Sequence, residues 1–129
     1  MNNMNQETND NTDMTGMDSA GLKGVVRLSL RLKAVADFVR PGSRIADIGT
    51  DHGYVPIYLA QIGRAAGAIA MDVRQGPLER AKEHIREYEG WAIQHAGNSR
   101  QQDPCAIEAR LSDGLKELRP GEADTVIMA

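Results

Sequence analysis

Between Arg44 and Ala60 the sequence reads as an apolar strand, a glycine-bearing turn and the start of a helix. The strand is Arg44-Ile45-Ala46, the turn is Asp47-Ile48-Gly49-Thr50-Asp51-His52-Gly53, and the helix opens with Tyr54-Val55-Pro56-Ile57-Tyr58-Leu59-Ala60. That succession is the first unit of a nucleotide-binding α/β fold, with its ligand at the strand-to-helix turn. The pattern is Asp-x-Gly-x-Asp-x-Gly, so Asp51 stands where many such loops carry a second glycine. A side chain there keeps the backbone from pressing onto a pyrophosphate. The substitution points away from NAD and towards a ligand without phosphate, such as S-adenosylmethionine (SAM).

Periodicity extends the alternation along the chain. Leu28, Leu32, Val35, Ala36 and Val39 recur at helical spacing until Pro41-Gly42 stops them. A strand at Arg44–Ile48 is followed by the helix from Tyr54 to Gly63, where Pro56 suits the first turn. Ala66–Met71 reads as a second strand closed by Asp72, and Gly76-Pro77 opens a helix over Leu78–Tyr88. Glu89–Pro104 is polar and predicts a long surface loop. Ala106–Leu111 is a third strand, Ser112–Leu118 a short helical turn, and Asp124–Ala129 a fourth strand after Pro120-Gly121. The expected fold is α/β and Rossmann-like, an incomplete parallel sheet with helices on both faces. A buried-type strand at the end of the sequence reads as one wall of a ligand crevice, so the chain is expected to be part of a larger enzyme.

Residues 1–22 are set apart as a disordered tail, and 23–129 as the folded part. Within Met1–Ala20 there is neither period, nor aromatic residue, nor the basic and apolar succession of a signal peptide. The tail also distorts the charge: removing Glu7, Asp10, Asp13 and Asp18 from 18 acidic residues leaves 14 against 15 basic. A body this balanced lacks the basic bias of a self-sufficient nucleic-acid binder. Lys23, Arg27, Arg31 and Lys33 do gather locally, and read as a solvated helix face. The lone Cys105 excludes an internal disulfide and, without clustered histidines, argues against a metal site. No run is long enough for a membrane span, so a cytoplasmic protein is expected.

Three acids follow three successive strands: Asp47, Asp72 and Asp113. In a parallel sheet those strand ends lie on one side. Asp72, about twenty residues past the glycine turn, is placed to accept both ribose hydroxyls. Asp113 suits an adenine amino group, and Asp47 the ammonium of a methionine moiety. Gly49 and Gly53 allow the tight turn and a close approach to the ligand. The competing reading is that each acid caps the helix or turn after it.

Leu28-Ser29-Leu30-Arg31-Leu32, the run Ile45 to Pro56, Gly76-Pro77, Ser112-Asp113-Gly114-Leu115 and Asp124 to Ala129 occur in one order. Together they resemble the bacterial tRNA (adenine-22-N1)-methyltransferase family, TrmK. The resemblance implies a class I SAM-dependent methyltransferase fold and methyl transfer to N1 of a tRNA adenine. It also implies that Gly49, Thr50, Asp51, Asp72, Val73, Asp113 and Gly114 line the cofactor pocket. Family members continue past the fourth strand with a glycine-rich turn and a helical part that helps bind tRNA. Neutral adenine N1 needs no strong base, so catalysis would rest on alignment and charge stabilisation. Asp51 is the candidate catalytic carboxylate and His52 the second choice. A SAM-binding module without transfer activity is the alternative. An NAD-dependent oxidoreductase is a weaker one, since Asp51 replaces its second glycine.

Overall fold

The computed structural model describes residues 17–18, 21–22, 24–96 and 104–129. Strands β1 (Met17–Asp18) and β2 (Gly21–Leu22) pair antiparallel, Met17 opposite Leu22 and Asp18 opposite Gly21. These four residues fall within the stretch 1–22 expected as a disordered tail; local pairing satisfies backbone groups without any apolar period. The others in that stretch lie outside the described residues. The chain continues through α1 (Leu30–Asp37), β3 (Ser43–Ile48), α2 (Tyr54–Gln61), β4 (Ala65–Asp72) and α3 (Gln75–Ala96) to β5 (Ala106–Leu111) and β6 (Thr125–Ile127).

Strands β3 to β6 form one parallel sheet in the order β5-β4-β3-β6. Three strands step outward in one direction, and the fourth crosses back to the other side of β3. That is the Rossmann arrangement, with a topological switch between β3 and β6. Register aligns Asp47 with Ala70 on one side and with Ile127 on the other. Parallel pairing thus delivers the carboxyl ends of β3, β4, β5 and β6 to one edge of the sheet.

Local chemistry explains the helices. Ser29 caps α1, its Oγ accepting the Leu32 N–H at 3.3 Å, so the helix starts two residues after Leu28. Helix α2 is apolar through most of its length and buries Val55, Pro56, Ile57, Leu59 and Ala60. Gln61 at its end binds the Val26 N–H (2.7 Å) and the Gly24 carbonyl (3.1 Å), tying the segment before α1 to α2. Helix α3 runs well past the expected end at Tyr88. Ile85, Tyr88 and Ala92 stay buried at helical spacing, and Trp91 stacks on His95 at 4.4 Å. The polar residues of 89–96 that suggested a loop are the exposed face of this helix; 97–103 lie outside the described residues.

The two faces of the sheet differ. Ile45, Ala68, Ala70, Ile107 and Ile127 share one core cluster with residues of α1, α2 and α3. On the other face Ala46, Ile69 and Met71 are covered by Leu118 and Ala123, which belong to no helix. Helices therefore lie on one face among the described residues, not on both as expected. The 112–124 segment turns back over the second face, with the Arg44 guanidinium donating to the Gly121 carbonyl at 2.7 Å.

Ile57 is completely buried and Phe38 is 87% exposed. Ile57→Ala is expected to lose roughly 2–5 kcal/mol of stability, whereas Phe38→Ser should stay within about 0.5 kcal/mol of wild type. Urea denaturation of both variants measures the difference, and equal losses would contradict this assignment of the core.

Candidate functional site

The turn from β3 to α2 is built from left-handed residues. Gly49, Asp51 and Gly53 have φ of 70°, 58° and 77°. A Cβ on Gly49 would meet nothing within 4 Å, so its backbone borders open space that a ligand can enter. At Gly53 the left-handed φ favours glycine, and a Cβ there would make ordinary contact with the Ala81 Cβ at 3.4 Å. It stands where α2 begins beside α3, between His52 and Tyr54, which both line the adjoining pocket.

A concave pocket of about 150 Å³ opens beside this turn, lined by Asp47, Gly49, Thr50 and Asp51 together with Arg31, His52 and Ala129, among others. It lies at the switch point, between the end of β3 and Ala129, two residues past β6. The neighbouring strand ends are joined to it by backbone bonds. The Thr50 N–H donates to the Met71 carbonyl and the Ser112 N–H to the Asp72 carbonyl, each at 2.9 Å.

Asp47 is 4% exposed, and its Oδ2 accepts the Thr50 hydroxyl at 2.9 Å. Burial pushes its carboxyl up to about 7; the Thr50 hydroxyl opposes this and the Asp72 carboxylate adds to it. Asp72 is as deeply buried, and burial alone would raise it too. The Arg74 N–H (2.8 Å) and guanidinium (3.3 Å) and the Asp51 backbone N–H instead hold it below the usual carboxylate range. Oδ1 accepts both Arg74 bonds, while the Asp51 N–H only approaches the carboxylate and Oδ2 is buried without a hydrogen bond of full geometry. Ring contacts border the turn: His52 stacks on Tyr54 at 5.1 Å, and His84 lies 5.2 Å from Tyr54. The His84 Nδ1 lies 2.7 Å from the His52 carbonyl, so it donates there.

A left-handed turn, a half-used buried acid on the next strand and a pocket at the switch point are the parts of a nucleoside-binding α/β site. Residues 28–129 match the methyltransferase domain family. The chain belongs to that family. Over 104 residues, 81% of its length, it is 38% identical to the tRNA (adenine(22)-N(1))-methyltransferase of Bacillus subtilis (strain 168), of which it covers 38%. The crystal structure of the B. subtilis m1A22 tRNA methyltransferase TrmK superposes with a TM-score of 0.65 at 33% identity, over 79% of this chain and 38% of that one. M. capricolum TrmK, solved with S-adenosyl-homocysteine (SAH), gives 0.61 at 34% identity, over 79% and 41%. The resemblance seen in the motifs is borne out, and the chain spans about 38% of the length of the curated relative it matches.

Within this methyltransferase domain the expected site residues divide into two groups. Asp47, Gly49, Thr50 and Asp51 share the pocket. Asp72, Val73, Asp113 and Gly114 stand at the ends of β4 and β5, outside its lining and along the same edge. Asp113 is exposed and pairs with Lys116 at 3.3 Å. Arg31 was read as part of a solvated helix face, yet it lines the pocket. Its place in the Leu28–Leu32 run was the available signal. The contact of His84 with the turn, across 32 residues of sequence, had no local signal.

In the unfolded chain Asp47 titrates near 3.9, and in the fold near 7. The native state keeps the extra proton between those values, so stability falls as pH rises from about 4 to about 7. Asp47→Asn retains an oxygen for the Thr50 hydroxyl and removes that slope. Urea melts across pH should find the variant more stable than wild type above pH ~7 and matched below ~4. Overlaid profiles would mean that Asp47 ionises as an ordinary carboxyl.

Proposed function

We propose that this chain is the cofactor-binding part of a SAM-dependent enzyme that methylates N1 of an adenine in tRNA, at position 22 by its likeness to TrmK. The observation that carries the reading is the Asp72 carboxylate, with one oxygen engaged at the turn and the other buried without a hydrogen bond of full geometry. A ribose hydroxyl is the donor such an oxygen lacks. The donor set fits the rest of the cofactor. Asp47 and Asp51 supply negative charge for an ammonium, Arg31 supplies positive charge for a carboxylate, and all three line one pocket. Asp113 and Gly114 stand two strands away, where the adenine end would lie.

When bound, SAM supplies an electrophilic methyl group. The chain's residues orient, and they manage charge. Adenine N1 would form the new N–CH3 bond with its own lone pair as the S–CH3 bond breaks and S-adenosyl-homocysteine leaves, and the ring would stay cationic until the exocyclic amine loses a proton. Asp51 is the carboxylate proposed to favour that charge: it is exposed in the pocket wall, with His52 Nε2 3.8 Å from its Oδ1. The three-ring group of His52, Tyr54 and His84 borders the same turn and offers aromatic surface to the acceptor side. No helix among the described residues is long and apolar enough to cross a membrane, and a tRNA substrate supports reading the enzyme as cytoplasmic.

Calorimetric titration with SAM, and with NAD as control, tests the reading. SAM should bind and NAD should not. Asp72→Asn should weaken SAM by roughly tenfold or more, the worth of a hydrogen bond to a charged acceptor. At pH ~6 binding should release a proton, because a cationic ligand favours ionised Asp47; Asp47→Asn should abolish that release. A folded chain that binds NAD as well as SAM, or neither, would refute the proposal. Binding without methylation of a tRNA transcript, in a protein carrying the remaining length of its relatives, would favour a SAM-binding module. Loss of turnover in Asp51→Ala at saturating SAM would support its catalytic role.

A further inference from the structure

One side chain outside the pocket uses its entire hydrogen-bonding capacity. Arg110, on β5, donates Nε–H to Glu108 Oε2 at 2.9 Å and Nη2–H to Glu108 Oε1 at 3.0 Å. Its other Nη2–H goes to Glu122 Oε2 at 2.9 Å, and Nη1 reaches Glu122 Oε1 at 2.7 Å and the Glu117 carbonyl at 2.8 Å. All five guanidinium donors are engaged. The side chain is only 15% exposed, and that of Glu122 24%. Glu122 in turn accepts the Arg119 N–H at 2.7 Å, so the carboxylate also closes the turn at 119–122. Its carboxyl is held down to about 2, chiefly by Arg110.

The partners have a geometric pattern. Glu108 is two residues back on the same strand; Glu117 and Glu122 belong to the segment that leaves β5 and folds over the sheet. Arg110 therefore joins the strand to both the middle and the far end of that excursion. What lies between is the 112–117 turn, closed on itself by the Ser112 hydroxyl. Ser112 Oγ donates to the Gly114 carbonyl at 2.7 Å and accepts the Glu117 N–H at 3.2 Å. Gly114 is left-handed, with φ of 63°. Asp113 and Gly114 stand at the apex of this turn, and nothing else in the turn is deeply buried apart from Ser112. The apex has little core of its own to fix it, so its position depends on the clamp below.

We propose that Arg110 is a positioning residue for base selectivity in the cofactor site: its five-bonded clamp fixes the Asp113–Gly114 turn where the adenine amino group is read. This rests on the SAM-binding reading above and extends it to a residue that touches no ligand. A lysine cannot substitute, because a three-donor point charge cannot hold two carboxylates and a carbonyl in one plane. The two released glutamates would also repel each other.

The test compares two ligands on three versions of the 129-residue chain. SAH and S-inosylhomocysteine differ at the base, where the latter carries an oxo group in place of the amine that Asp113 would accept. Wild type should prefer SAH by roughly tenfold, about the worth of one charge-assisted hydrogen bond. Arg110→Gln and Arg110→Lys should lose most of that preference, through weaker SAH binding and little change for the inosine analogue. A generally structural role would weaken both ligands alike and leave the ratio intact; that result overturns the proposal, as does full preference in Arg110→Lys. If wild type binds SAH without preference, the Asp113 reading fails and takes the proposal with it. If folded wild type binds neither ligand, the SAM-site reading itself fails and the proposal falls with it. Circular dichroism of each variant establishes that it is folded, and should Arg110→Gln not fold, Glu122→Gln replaces it with the same expected loss of preference.

Discussion

Five residues separate the last residue of β3 from the first of α2, and three of them are left-handed. Reversing the chain so tightly leaves little choice of backbone, and the rest of the site depends on how that constraint is met. Glycine meets it twice at little cost. Asp51 meets it with a side chain, at a cost of order 1 kcal/mol or more. Aspartate is among the few residues that tolerate this conformation. What the strain secures is a carboxylate held in the pocket wall, with its own N–H turned towards Asp72. The same turn places Gly53 against Ala81, where α2 begins beside α3.

From that turn the sheet spreads the site outward by backbone pairing. Thr50 N–H is bonded to β4 and Ser112 N–H to the last residue of β4, so three loops inherit one register. A shift of any strand by one residue would turn its acid to the opposite face. The clamp at Arg110 extends the chain of dependence one step further. It governs a loop that the sheet alone does not fix beyond Ser112.

Much of this was legible in the residues. Strand and helix alternate where the periods of two and 3.6 change, and Gly49 and Asp72 carry their meaning through spacing. Other features needed the tertiary structure. The end of α3 was hidden because Gly90 and a polar stretch resemble a loop, while the residues that hold the helix, Tyr88 and Ala92, act through burial. The placement of the helices among the described residues on one face could not be read from periodicity. An apolar stripe says that a helix is covered, and not which side of the sheet covers it. Arg31 shows the converse: a cation on an amphipathic helix reads as solvated, and it is exposed in the fold, yet it also stands in the pocket wall. Arg110 carries no local signal, since its partners lie two, seven and twelve residues away along the sequence.

The two buried acids carry opposite shifts, and the contrast explains what kind of ligand the site accepts. Asp72 is ringed by N–H groups and a guanidinium, so its charge is already compensated and its free oxygen asks only for a neutral donor. Asp47 has a single hydroxyl for a partner, faces the charge of Asp72 and is driven towards neutrality. Such a group gains most from a cation, because ionising it beside a positive charge relieves both burial and repulsion. A sugar at β4 and a positive centre at β3 are therefore complementary to this pair in that order, and a phosphate is not. A diphosphate would bring negative charge to the loop where Asp47 and Asp51 already stand. The electrostatics of the turn thus argue against a dinucleotide independently of the missing second glycine.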